Sequence, residues 1–165
     1  MYRGVQFRSR LEAKYACLFD QLGWVWDYEQ LDYDGYIPDF TLAFKKPMLV
    51  EVKPINDWFG FDWNPVIEKA IDSGVKGRLM VVGAKVFHFE SLGATTIGRI
   101  YEQELFPDDA YCVPTVVHLC DHCGKFNPTS TCEYDGSRKA SELSYEQLNT
   151  MWKHASNTVQ WKGPK

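Results

Sequence analysis

Two short apolar runs, residues 36–42 (YIPDFTL) and 48–53 (MLVEVK), flank Phe44-Lys45-Lys46-Pro47 and constrain this chain more than any other feature. Both are rich in β-branched and aromatic residues and their connection is short, so they read as neighbouring antiparallel strands. With the hairpin centred near Lys45, Asp39 falls opposite Glu51, and directly opposed Cβ atoms sit about 4.5–5.5 Å apart. The period of two then puts Lys53 on the face of Glu51 and turns Val50 and Val52 to the other.

Two carboxylates held that close repel each other unless a cation or a shared proton offsets the charge. Hard oxygen ligands suit magnesium or manganese, and magnesium usually keeps several waters beside one or two carboxylates. A lysine alongside is placed to position a water as nucleophile. The constellation points to phosphodiester hydrolysis. Alternation alone also puts Asp, Glu and Lys on the solvated face of a half-buried hairpin, so the reading depends on what surrounds it.

Upstream, Leu11, Tyr15, Leu18, Phe19 and Leu22 repeat on one side of a helix. Ser9 and Glu12 form an S-x-x-E capping box, which starts the helix near Ser9, and Gly23 ends it. Glu12 therefore has a purely local use, capping the first turn. Residues 24–28 (WVWDY) alternate as a strand, and Asp34-Gly35 marks a tight turn before Tyr36.

The ordered series Arg8-Ser9-x-Leu11-Glu12-Ala13, Leu22-Gly23, Tyr28-Glu29, Tyr36-Ile37-Pro38-Asp39-Phe40 and Glu51-Val52-Lys53 resembles the PD-(D/E)XK nucleases of the restriction-endonuclease-like fold. It is most similar to small phage-type endonucleases and transposase endonuclease subunits, and covers about the first half of the chain. The resemblance implies that Asp39 and Glu51 bind the metal, that Lys53 orients the attacking water and that Glu12 completes the site. Capping and metal binding by Glu12 are compatible. It also implies a magnesium-dependent DNA endonuclease in a phage, mobile-element or defence setting. Pro54 departs from the pattern, since the family often carries a polar residue just beyond the lysine.

Beyond the hairpin, Asn64 and Pro65 predict a helix start, Val66, Ile67, Ala70 and Ile71 its buried stripe, and Gly74 and Gly77 its end. Residues 78–82 (RLMVV) follow as a strand. The expected fold is α/β, an α+β mixed sheet with an αβββαβ core over residues 1–111, then a zinc module and helix over 112–165. Residues 57–63 (DWFGFDW) form an aromatic loop that either stacks on bases or, as favoured here, covers a core edge.

The module rests on cysteine spacing. Cys120-x2-Cys123 is followed by Cys132 and then Asp135 where a fourth cysteine would complete a knuckle, with Gly124 and Gly136 after each pair. Thiolates on two such turns suit tetrahedral zinc in a closed, structural site. Asp135 is the leading fourth ligand, with His118 or His122 as alternatives. Five cysteines without a secretory signal do not suggest a disulfide framework. Cys17 belongs to the helix core and Cys112 is unassigned. Ser144 and Gln147 form a second capping box ahead of Leu148, Met151, Trp152 and Ala155, with Trp161 in a basic tail.

The apolar fraction of 45% over 165 residues fits a globular protein, and the net charge of −4 is low for a protein that binds a polyanion. Its distribution softens that objection. Acidic residues concentrate in stretches 27–39 and 102–109, whereas Arg3, Arg8, Arg10 and Lys14 gather near the site, and Arg138, Lys139, Lys153, Lys162 and Lys165 form a second set. Arg8 and Arg10 are the candidate phosphate contacts. No apolar run approaches the roughly 18–20 residues of a membrane span, so a cytoplasmic protein is expected, in the host cytoplasm if phage-encoded. Double-strand cleavage needs two sites, which points to a homodimer or a larger recognition partner. The contrasting expectation is a silent nuclease-fold protein that binds nucleic acid or a protein.

Overall fold

The computed structural model describes residues 1–102, 112–138 and 140–159. The acidic stretch at 103–109, Lys139, Trp161, Lys162 and Lys165 lie outside the described residues, as does the side chain of Cys112. The elements run α1 (Arg10–Gln21), β1 (Trp26–Tyr28), β2 (Phe40–Leu42), β3 (Met48–Val52), α2 (Asn64–Asp72) and β4 (Arg78–Phe89). A short 3-10 turn at Glu90–Leu92 leads to β5 (Ala94–Glu102) and β6 (Cys112–Pro114). Then come β7 (His118–Cys120), β8 (Phe126–Asn127), β9 (Ala140–Glu142) and α3 (Tyr145–Thr158).

Strands β1 to β6 form one mixed sheet in sequence order, with β3 and β4 parallel and every other neighbouring pair antiparallel. The crossover between the parallel pair is α2. Its Ile67 and Ala70 cover one face of the sheet, packing with Leu49, Leu79 and Val81. The other face carries Phe40, Met48, Val50, Met80 and Val82 and is covered by α1 and α3. Coverage on both sides explains the continuous apolar runs of β3 and β4, where alternation in and out of solvent is absent.

Segment 36–42 is shorter as a strand than its composition suggests, pairing only from Phe40. Pro38 has no N–H to give a ladder, so the chain ahead of Asp39 leaves the sheet. Asp34 and Gly35, both at positive φ, close a tight turn that joins Tyr33 to Tyr36 and lies within the β1–β2 connection. Strand β4 continues well past Val82, with a register shift between Val82 and Phe87 where it pairs with β5. At Gly98 of β5 an added Cβ would lie 2.1 Å from the Val81 carbonyl oxygen, so only glycine allows this approach.

Helix α1 is fixed over the sheet by Tyr15, whose hydroxyl donates to the Gly83 carbonyl at 2.7 Å. α3 lies against α1, where Trp152 meets Tyr15 and the Gln21 amide donates to the Met151 carbonyl. Both halves of its capping box, Ser144 and Gln147, are formed. In α2 the cap is different from that expected at Asn64: Trp63 is the N-cap residue, and the Asn64 N–H is taken by the Asp62 carboxylate. Strands β7, β8 and β9 make a separate small sheet. Among the described residues, no helix is long and apolar enough to cross a membrane.

Candidate functional site

Register places the acidic residues. Phe40 pairs with Val50 across β2 and β3, and continuing that antiparallel register by one step sets Asp39 across from Glu51. Lys53 is still held to β4 by its N–H to the Val82 carbonyl, so it shares a face with Glu51, while Val50 and Val52 pack toward α1. The Lys53 ammonium lies 2.5 Å from Glu51 Oε1. Glu51 Oε2 accepts from the Tyr36 hydroxyl at 3.0 Å, and Asp39 Oδ2 accepts from the Val52 N–H at 2.7 Å.

Burial raises the Asp39 carboxyl to about 7; the Val52 N–H opposes that rise, and the charges of Glu51 and Glu12 reinforce it. An acid in that range is half protonated near neutrality and is readily ionised by an approaching cation. Tyr36 is raised by the same causes: burial and the adjacent Glu51 keep its hydroxyl protonated, so it remains a donor.

Glu12 projects from the first turn of α1. Ser9 caps the helix by accepting from the Glu12 N–H at 3.1 Å. The return half of the expected capping box is replaced: the Glu12 carboxylate accepts from the Arg8 N–H at 3.1 Å and from the Tyr28 hydroxyl at 2.5 Å. The side chain is thus drawn toward β1 and is felt electrostatically at Asp39. Glu12, Asp39 and Glu51 do not form a closed triad in which every ligand atom lies within 4.8 Å of the others.

The two candidate phosphate contacts diverge. Arg8 ion-pairs with Glu29 at 2.8 Å beside the carboxylates, whereas Arg10 donates to the Ser156 carbonyl in the last turn of α3. Arg3 is paired with Asp20 and Lys14 lies over the Trp152 ring, so much of the amino-terminal positive charge has internal partners. In the aromatic loop, Trp58 and Trp63 are buried, Trp58 against Phe87 and Trp63 against Trp58, and cover a core edge; Phe59 is the exception.

The cysteine module forms a second site. Sγ of Cys120, Cys123 and Cys132 and a carboxylate oxygen of Asp135 all lie within 4.8 Å of one another. The Cys123 and Cys132 sulfurs are 3.5 Å apart, and Cys120 Sγ is 3.9 Å from Asp135 Oδ2. Zinc–sulfur bonds of about 2.3 Å at tetrahedral angles require edges of roughly 3.8 Å, so the group can hold a metal ion such as zinc.

Two matching turns build this group. Gly124 N–H donates to the Cys120 carbonyl and Gly136 N–H to the Cys132 carbonyl, each at 2.9 Å, with both glycines at positive φ. Asp135 therefore occupies in the second turn the place of Cys123 in the first. His118, buried on β7, lies outside the group. His122 serves Asp135 instead of replacing it, its Nδ1 lying 2.9 Å from Oδ2.

Hydrogen bonds from Ser137 and the Cys123 N–H pull the Cys120 thiol down to about 7, while burial and the neighbouring sulfurs push Cys123 up to about 11. Three sulfurs this close do not all ionise without a cation, which is the function a metal serves. Composition and spacing missed Tyr28, Tyr36 and Ser137. Tyr28 and Tyr36 stand in the resembling series without an assigned role, because Tyr36 reaches Glu51 from outside the strand and its parity predicts nothing. Comparison with protein families, with curated proteins and with solved structures finds no match.

Proposed function

We propose that this protein is a metal-dependent DNA endonuclease built on a PD-(D/E)XK core, with a zinc knuckle as its structural appendage. The observation that carries the reading is the β2–β3 register, which sets Asp39 against Glu51 with Lys53 on the same face. The order α1-β1-β2-β3-α2-β4 and the mixed sheet are compatible with that core.

Asp39 and Glu51 are hard oxygen donors that would hold magnesium or manganese, with Glu12 as the further carboxylate that would complete the set. Such an ion supplies Lewis-acid stabilisation of the phosphoryl oxygens and a more acidic water. The protein's own groups perform the rest. Tyr36 holds one oxygen of Glu51, the Val52 N–H fixes one oxygen of Asp39, and both restrict the carboxylates to one geometry. Lys53, restrained by Glu51, holds the attacking water in line and stabilises charge as it develops on the phosphate.

The test is incubation of the purified protein with single-stranded, duplex and branched DNA, with and without magnesium or manganese. Metal-dependent cleavage is expected, and Asp39→Ala, Glu51→Ala or Lys53→Ala each lowers it at least about a hundredfold with the fold intact. Unchanged cleavage in any two variants rules out the assignment.

A second reading is favoured by the engagement of Glu12 with Tyr28 and Arg8, outside a closed acidic triad. On that reading the subunit is silent until a recognition partner or a second copy closes the site. Cleavage that rises more steeply than linearly with protein concentration, or that needs an added partner, distinguishes the two.

A further inference from the structure

The loop between Lys53 and α2 is anchored at many points. Ile55 N–H donates to the Lys53 carbonyl and Ala84 N–H to the Ile55 carbonyl, so the loop leaves β3 along the sheet. Trp58 and Trp63 are 5% and 6% exposed, with ring centroids 5.1 Å apart. The Arg99 guanidinium lies over both rings, 4.8 Å from Trp58 and 4.6 Å from Trp63.

Phe59, between them, is 82% exposed. Its outward position is built into the turn: the Asp57 carboxylate accepts from the Phe59 N–H, and an added Cβ at Gly60 would lie 2.3 Å from Asp57 Oδ2. From beneath, Phe89 supports it at 5.5 Å and in turn meets Trp58 at 5.2 Å. A packed aromatic base thus carries one ring into solvent. Packing does not account for that ring.

The ring's position gives it a use. The loop begins directly after Lys53, and its buried tryptophans belong to the same side of the sheet as Tyr36 and Leu49, the face that carries Glu51. We propose that Phe59 is a stacking platform for an unpaired nucleobase beside the cleavage site, so that the substrate carries a single-stranded or splayed segment there. This rests on the nuclease reading above. Every base has a π-face, so a phenyl ring binds unpaired bases with little sequence preference, whereas bases stacked inside an intact duplex are closed to it. Exposed Asp57 and Asp62 stand on the same loop and disfavour phosphates there, which leaves the base as the expected contact.

The test uses full-length protein and DNA oligonucleotides bearing 2-aminopurine: a blunt duplex, a single strand and a duplex with a single-stranded flap. In the Asp39→Asn background, which is expected not to cut, quenching at one unpaired position is predicted. Phe59→Ala abolishes it and Phe59→Tyr retains it. Phe59→Ala also weakens binding of the flapped duplex by roughly tenfold, equally at low and high salt, and leaves blunt-duplex binding unchanged. Being so exposed, Phe59 is replaced without loss of fold, which equal melting curves verify.

Cleavage that depends on Asp39 but is the same in Phe59→Ala, with no position-specific quenching, overturns the platform and leaves the nuclease standing. Phe59-dependent quenching in a protein that never cuts retains the platform as a binding site and removes the nuclease. Absence of both defeats both readings.

Discussion

Unfolding returns Asp39 from about 7 toward its ordinary 3.8, because it loses its burial and the adjacent charges of Glu51 and Glu12. Between those values the folded state holds a proton that the unfolded chain releases. Stability of the magnesium-free protein therefore falls as pH rises through that window and levels off above it. Thermal melts from about pH 5 to about pH 7.5 should show the decline in the parent and not in Asp39→Asn, which melts higher at the upper end yet has lost cleavage. Added magnesium should stabilise the parent more at the upper pH. Parallel parent and variant profiles would show that Asp39 is already ionised in the fold. Glu12 allows a cleaner separation, because the cap uses its N–H and the site its carboxylate. Glu12→Gln keeps an amide oxygen for the Arg8 N–H and the Tyr28 hydroxyl, so it should lower cleavage with little change in the melting curve; a variant that cuts like the parent confines Glu12 to a helix-end role.

With zinc bound as proposed, the knuckle is the element whose stability depends on a ligand. Its strands are only two or three residues long, so the small sheet has little core of its own, and metal-binding energy becomes folding energy. Protein purified without added metal should contain about one zinc per chain by elemental analysis. Asp135→Ala should lose it, and His118→Ala should keep it, because His118 lies outside the ligand group. Zinc-free parent protein, with Cys123→Ser melting like it, would reduce the module to a loop with buried thiols. This element and the hairpin were legible for related reasons: cysteine spacing and short runs rich in β-branched and aromatic residues are local patterns, and so is the short Lys45 connection. Strand β5 and the outer part of β4 were not. Gly83 and Gly98 interrupt their apolar pattern, and their pairing is set by a backbone approach that appears only when the sheet is assembled. The Glu12 carboxylate's choice of Tyr28 over its own cap was equally hidden, since it depends on β1 coming alongside α1.

At the scale of the molecule, a buried ion pair joins the knuckle to the turn of the hairpin whose far end carries the carboxylates. Arg78 opens β4, and its guanidinium meets Glu133 through two bonds, at 2.5 and 3.0 Å, while also donating to the Lys46 carbonyl at the β2–β3 turn. Both side chains are under a tenth exposed, and Glu133 lies inside the second knuckle turn, between Cys132 and Asp135. If the knuckle holds zinc as proposed, its loss is expected to free that turn, withdraw Glu133 and strand a buried cation against the hairpin that carries Asp39 and Glu51. Zinc removal is therefore expected to lower the melting temperature of the whole sheet. Arg78→Ala alone should cost about 3–5 kcal/mol, the range for breaking a buried pair, because it leaves Glu133 uncompensated. Replacing both partners together, Arg78→Met with Glu133→Leu, should cost far less than the two single changes added, since no charge is left buried. In that double variant a chelator should unfold the knuckle while displacing the sheet's transition less than in the parent. An equal displacement in both proteins would mean that the zinc module acts on the sheet through packing alone, and that the ion pair does not transmit it.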